Sequence, residues 1–187
     1  MAVWVFISLI FLFLSWVIFI YNRLVTLRNE VKNAWYQIDV QLKRRHDLIP
    51  NLVAVVKGYM EFERSTLEAV TSARTRALSA VSMHEKAFAE DTLTLALGRL
   101  FIVMENYPSL KSNENVMQLQ EELTSTENRI AFARQLYNDL VANFRTKLEV
   151  FPDNIVASIF AFQSVEFFSS EDTDKGLPVA DISARTK

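Results

Sequence analysis

Apolar residues fill the start of the chain without interruption, "AVWVFISLIFLFLSWVIFI" over residues 2–20, and then change rhythm. From Leu24 they recur at alternating steps of three and four: Leu24, Leu27, Val31, Trp35, Ile38, Leu42. That spacing describes one face of a helix. The stripe resumes at Ile49, Leu52, Val56 and Tyr59 and runs on through Leu67, Val70 and Ala77. It stays nearly in phase across Pro50, with Arg45 in a slot where an apolar residue is expected. Two arrangements fit. Either Pro50 kinks one very long helix, or Asp47 N-caps a second helix after a tight turn; both stay open, with the break favoured.

The polar and small residues from Ser82 to Glu90 predict a loop. "DTLTLALGRLFIVMENY" predicts a shorter helix that Asp91 caps and Pro108 ends. In the connector "PSLKSNEN", Ser112 or Asn113 can cap a long helix from Val116 to about Glu149, striped by Leu119, Leu123, Ile130, Ala133, Tyr137, Leu140, Phe144 and Leu148. Its early acids (Glu114, Glu121, Glu122) and late bases (Arg145, Lys147) suit the helix dipole. Phe151-Pro152-Asp153 closes it, and "NIVASIFAFQSVEFF" predicts a last apolar helix, a lid over the open end of the bundle or else an interfacial helix. Each stripe must be buried against a neighbour, so the expected fold is all-α: an N-terminal transmembrane helix followed by an antiparallel four-helix bundle of long helices. The expected division is an anchor over 1–21, a bundle over 22–168 and a disordered polar tail over 169–187.

The uncharged run spans roughly 28 Å at about 1.5 Å per residue, close to a bilayer's hydrocarbon thickness. Trp4 and Tyr21 stand where interfacial aromatics are expected. A cleaved signal peptide fits poorly, because no basic region precedes the run and no small-x-small site follows it. Ser8 and Ser15 share a face but read as tolerated serines. Arg23, Arg28 and Lys32 follow the span, so the positive-inside rule places the N-terminus outside and the bulk of the chain in the cytoplasm.

Composition narrows the chemistry. Net charge is −2, from 20 basic and 22 acidic residues, so no global field draws the chain onto nucleic acid. The absence of cysteine removes disulfides, thiolate metal sites and cysteine nucleophiles. The stretch "QLKRRHDLIPNLV" (41–53) is the one that invites a functional reading. His46 and His84 belong to no His-x-x-x-His or Glu-x-x-His pair, so neither a zinc protease nor a di-iron bundle is expected, and no cofactor is. Lys43 lies about 35 Å beyond Ile20 along a helix. A Debye length of about 8 Å screens headgroup attraction at that distance. Arg45 is expected to face other helices and to pair with Glu122 or Glu127. Lys43, Arg44 and His46 then form a partner surface. Glu127, Asn128 and Arg134 could line a polar pocket, although a solvated face is the simpler reading.

"AWYQIDVQLKRRHDLIPNLV", "VKGYMEFE", "LGRLFIVMENYPSLKSNENVMQLQEELTSTENRIAFARQLYND" and "FPDNIVASIFAF" make the chain resemble the LemA family over roughly residues 21 to 168. The resemblance implies a bacterial single-pass protein of the inner membrane with a four-helix, up-and-down domain and a short external N-terminus. It brings no established activity, cofactor or catalytic residue. Some relatives act in forming membrane compartments, and others are encoded near membrane metalloproteases. Residues 83–92 carry no family motif. The expected function is a membrane-anchored scaffold or adaptor, homo-oligomeric, held in the lipid bilayer through residues 2–20. The alternatives are a regulator of a membrane protease or another integral membrane protein and, from a different class, an enzyme with an unrecognised carboxylate or arginine site. No small-molecule substrate is expected.

Overall fold

The computed structural model describes residues 1–169, and the polar tail expected from Ser169 lies otherwise outside the described residues. Six helices and one short 3-10 turn make up the described chain, with no strand among the described residues. The first, α1, runs from Ala2 to Lys57 without a break, 56 residues and roughly 84 Å. Its first part is long and apolar enough to cross a membrane. Side chains there, such as Phe6, Phe11 and Phe13, are exposed.

Pro50 therefore neither ends α1 nor lets Asp47 cap a new helix, which corrects the favoured expectation. Proline lacks an N–H, so the carbonyl four residues earlier, at His46, loses its helical donor. The Arg74 guanidinium supplies a replacement: its Nε donates to the His46 carbonyl at 2.7 Å. A neighbouring helix thus repairs the defect that the sequence alone makes look like a stop.

The chain reverses through Gly58 to Met60 and a 3-10 turn at Glu61–Glu63, then returns as α2 (Arg64–Ser79). Helix α3 covers Met83–Met104 and so includes the stretch expected to be a loop. Asp91 is not its cap. Ser82 is, through a capping box: its side chain accepts from the Glu85 N–H at 3.1 Å, and Glu85 Oε2 accepts from the Ser82 N–H at 3.1 Å. The four-residue α4 (Pro108–Lys111) starts on its proline. Next, α5 (Glu114–Glu149) is capped by Asn113, whose Oδ1 accepts from the backbone of Asn115 and Val116.

Helix α6 holds only Asp153–Ile159, shorter than the expected final helix. Ala161 takes a left-handed φ of 52°, and the Phe162 N–H reaches back to the Ala157 carbonyl at 2.9 Å, which ends the helix. The following residues form a strap along α1 and α5. Phe162 meets Tyr21 and Phe144, and Phe168 packs on Trp35. Asn138 brackets the Phe168 backbone with two hydrogen bonds. Tyr137 donates to the Glu166 carbonyl at 2.9 Å. Arg28, Arg134 and Arg145 each lie over a strap phenylalanine.

Helices α1 and α5 lie antiparallel along each other, and α2 packs on α3. The interior has two apolar parts. A proximal core, nearer the apolar segment, gathers Ile20, Leu24, Ile38, Leu42, Ile130, Tyr137, Phe144 and Val156. A distal core gathers Ile49, Leu52, Val70, Leu93, Leu100 and Leu123. Residues of α1, α2, α3 and α5 meet only around the distal core. In the proximal half, α6, the strap and the start of α3, through Met83 and Ala87, cover α1 and α5. The architecture is all-α as expected, and α1, α2, α3 and α5 differ widely in length, at 56, 16, 22 and 36 residues.

Candidate functional site

A layer of polar side chains separates the two cores. On α1, Arg45 and His46 fall between Leu42 of the proximal core and Ile49 of the distal one. On α3, Glu90 falls between Ala87 and Leu93, and on α5, Glu127 falls between Leu123 and Ile130. Each helix therefore sends its polar residue inward at the same level.

Arg45, 1 % exposed, is held on three sides. Its Nη1 donates to the Glu127 carboxylate. Its Nη2 donates to the Glu90 carbonyl at 2.9 Å and to Thr94 Oγ1 at 3.0 Å, and lies 3.4 Å from Glu90 Oε2. His46 Nε2 lies 2.8 Å from Glu90 Oε1, within hydrogen-bond distance. Thr94 closes the ring through Glu127 Oε1 at 3.1 Å. Two carboxylates thus face one guanidinium and one imidazole, Glu90 buried at 2 % exposure and the Glu127 side chain 40 % exposed. Such a layer adds little net stability, because desolvation offsets the Coulomb attraction, but it penalises any slip in register. Sliding α3 by one residue would draw Glu90 and Thr94 away from Arg45, leaving Glu127 of α5 beside it. Among the described residues, no group of three or more His, Asp or Glu could hold a metal ion.

The sequence pattern of the LemA family matches residues 34–180, which takes in the whole polar layer. The chain belongs to the LemA family. It is 27 % identical over 156 residues to Protein LemA of Metamycoplasma hominis, covering 82 % of this chain and 71 % of the relative. It is 24 % identical over 185 residues to Magnetosome protein MamQ 2 of Paramagnetospirillum magneticum, covering 85 % of this chain and 68 % of the relative. A similar likeness, 24 % over 182 residues, holds for Magnetosome protein MamQ of Magnetospirillum gryphiswaldense, with 83 % and 67 % covered.

In this LemA-family chain the outer face of the α1–α5 seam carries the remaining candidates. Lys43 and Arg44 are exposed. Glu122 pairs with Arg44 at 3.0 Å rather than with Arg45, both side chains about half exposed. His46, expected on that surface, is 6 % exposed and belongs to the buried layer. The reason is geometric: Leu42, His46 and Ile49 are also spaced four and three, so α1 buries two positions where it meets both α3 and α5. Asn128 is exposed, and Arg134 instead holds Asp91 Oδ1 at 2.7 Å; the pocket imagined among Glu127, Asn128 and Arg134 does not form. Trp4 is exposed at the start of α1, whereas Tyr21 is half-buried under Phe160 at 4.7 Å.

Sequence reasoning missed Glu90 and Thr94. A signal existed: Ala87, Glu90, Leu93 and Leu97 keep helical spacing, with Glu90 in the apolar slot as Arg45 is in its own. Reading the segment before Asp91 as a loop hid it.

Beside the charged end of the seam lies an apolar groove of about 480 Å³, lined by Tyr36, Val40, Gln41, Arg129, Phe132 and Leu136 among others. Val40 and Phe132 are 62 % and 73 % exposed. Gln41 Oε1 is buried there without a hydrogen-bond partner. Arg129 also lines the neighbouring polar cleft with Arg44, Glu121 and Glu122, so groove and cleft form one continuous face.

Proposed function

We propose that this LemA-family protein is a membrane-anchored scaffold that works by protein–protein association, its first partner being a second copy of itself. The observation that supports this most is the α1–α5 face, where an uncovered apolar groove adjoins a charged cleft. Large exposed aromatics gathered in one groove mark an interaction surface more often than isolated ones do. The face carries both signs of charge, Arg44 and Arg129 with Glu121 and Glu122, so it can complement its own copy in a two-fold pair. Anchoring through residues 2–20 confines copies to a plane and raises their effective concentration. The names of the two MamQ relatives, magnetosome proteins, are compatible with a part in a membrane-associated assembly.

The protein sits in the bacterial inner membrane with its N-terminus outside and its bulk in the cytoplasm, because Arg23, Arg28 and Lys32 follow the apolar run. A reporter active only outside the cytoplasm, fused after Lys187, should be silent; a strong signal reverses the orientation.

Association is tested on the full chain in mild detergent by light scattering. The wild type should form oligomers, and Val40→Glu with Phe132→Glu should release monomers while helicity is kept. A monomeric wild type, or an oligomer indifferent to both changes, overturns the proposal. Stoichiometric one-to-one co-purification with a membrane enzyme would favour a regulator instead.

A further inference from the structure

Helix α1 measures depth. Residues 2–20 span roughly 28 Å at about 1.5 Å per residue, against about 30 Å of hydrocarbon. Yet one side of the last turn of this apolar run is covered by protein, while Ile18 and Phe19 on the other side stay exposed. Ile20 is 3 % exposed within the proximal core, and Val17 packs against the same core. Val156 and Ala157 of α6 are in that core too, and the Phe160 ring sits 4.7 Å from Tyr21. Moving Val17 to Ile20 out into water would leave only Ala2 to Trp16 to span the bilayer. That is roughly 22 Å, several ångströms too short for an untilted helix. Helix α6 therefore lies at the depth of the membrane–water boundary.

Its outward side is apolar. Phe151, Ile155 and Ile159 are 74 %, 49 % and 70 % exposed, and Phe160 beside them is 50 % exposed. Ile155 and Ile159 are spaced by four, which aligns them on one face of α6, while Val156 and Ala157 turn to the core; Phe151 lies just ahead of the helix. In water this face would be an unexplained patch on a short helix. At the boundary depth it has a partner already present.

We propose that α6 is a membrane foot: Phe151, Ile155, Ile159 and Phe160 insert into the headgroup–acyl boundary of the leaflet that faces the bundle. The proposal rests on the reading of residues 2–20 as a membrane span and adds a second attachment beside it. One helix alone leaves the bundle free to tilt against the membrane. A second contact at the boundary limits that tilt, so every copy holds its α1–α5 groove at the same inclination to the membrane.

The chain has no cysteine, so single cysteines can be placed and labelled in the full-length protein. The variants are Ile155→Cys and Ile159→Cys, with Phe11→Cys as the span control and Phe62→Cys and Val81→Cys as distal controls. Each carries an environment-sensitive fluorophore and is reconstituted into phosphatidylcholine–phosphatidylglycerol vesicles containing lipids spin-labelled near the headgroup end of the acyl chain. Circular dichroism checks that each variant keeps wild-type helicity. Labels at 155 and 159 should be blue-shifted and quenched, with 62 and 81 unaffected. Quenching at 11 without quenching at 155 and 159 overturns the foot and leaves the span standing. Absence of lipid contact at 11 overturns the span and the foot with it. Equal quenching at all five sites means general adsorption and also overturns the foot.

Discussion

Arg45 shows how one side chain can be costly to remove while adding little as a pair. Arg45→Ala would leave the Glu90 carboxylate, 2 % exposed, with the His46 imidazole as its remaining side-chain partner. Breaking a buried pair in this way costs about 3–5 kcal/mol. At roughly 2–4 °C per kcal/mol for a chain of this size, the melting temperature should fall on the order of ten degrees. Lys43→Ala with Arg44→Ala should cost only about 0.5 kcal/mol per site, since both side chains are exposed. Thermal melts that rank these variants the other way round would refute the assignment of faces. A second residue-scale expectation concerns alkaline pH. Burial, and secondarily the charge of Glu166, push the Tyr137 phenol up to about 12. The folded state thus favours the neutral phenol. Its contribution is complete below the unfolded value of about 10 and is lost as pH rises from there through about 12. Melts between pH 8 and 12 should show a steeper alkaline decline for the wild type than for Tyr137→Phe; parallel curves would contradict it.

At the scale of elements, the two decisive features are a repaired helix and a hidden helix start. Arg74→Ala should leave the His46 carbonyl unpaired and cost about 1–3 kcal/mol. Pro50→Ala restores the backbone donor, so Arg74→Ala should matter less in that background. A double-mutant cycle by chemical denaturation should return a coupling of about 0.5–3 kcal/mol; strict additivity would show that Arg74 does not stand in for the missing N–H. At the start of α3, Ser82→Ala should cost about 1 kcal/mol through loss of the cap. Backbone hydrogen bonds from Ser82 and Val81 hold the Glu85 carboxyl below its ordinary value. Its share of the cap is therefore present above the unfolded pKa of about 4.3 and lost as pH falls through the lower folded value. Amide exchange at the first turn of α3, corrected for intrinsic rates, should speed up on acidification in the wild type and respond less in Glu85→Gln. An equal response in both would remove Glu85 from the cap.

For the whole molecule, the proximal core ties the bundle to its anchor. A fragment of residues 22–187 should be highly helical and melt cooperatively, because the stripes pack on one another rather than on lipid. A fragment of residues 16–187 regains Val17 and Ile20 and should be more stable by about 1.5–3 kcal/mol, the worth of one buried large aliphatic side chain. Equal denaturation midpoints would mean that Ile20 is not part of the folded core. An unstructured shorter fragment at low concentration would mean that anchor or oligomer contacts supply missing core.

Periodicity alone determined the all-α class, the apolar N-terminal run, the long α5 with a cap at Ser112 or Asn113, and the inward turn of Arg45, since each is set by residues within a turn or two of one another. The quoted motifs, too, pointed to the LemA family before any coordinate. Tertiary structure decided the rest. Pro50 reads as a stop because its repair comes from Arg74, on another helix. Residues 82–90 read as a loop because they are mostly polar and small, Glu90 among them, and it is Arg45 and His46 from α1 that make the burial of Glu90 tolerable. His46 looked like surface because a single stripe predicts one buried position per turn, whereas α1 meets two neighbours at that level. The Phe-rich end looked helical by composition, but its rings bury better as a strap across the α1–α5 seam than on any face of a continuing helix. Local spacing reports which side of a helix turns inward; only the packed neighbours decide what it finds there.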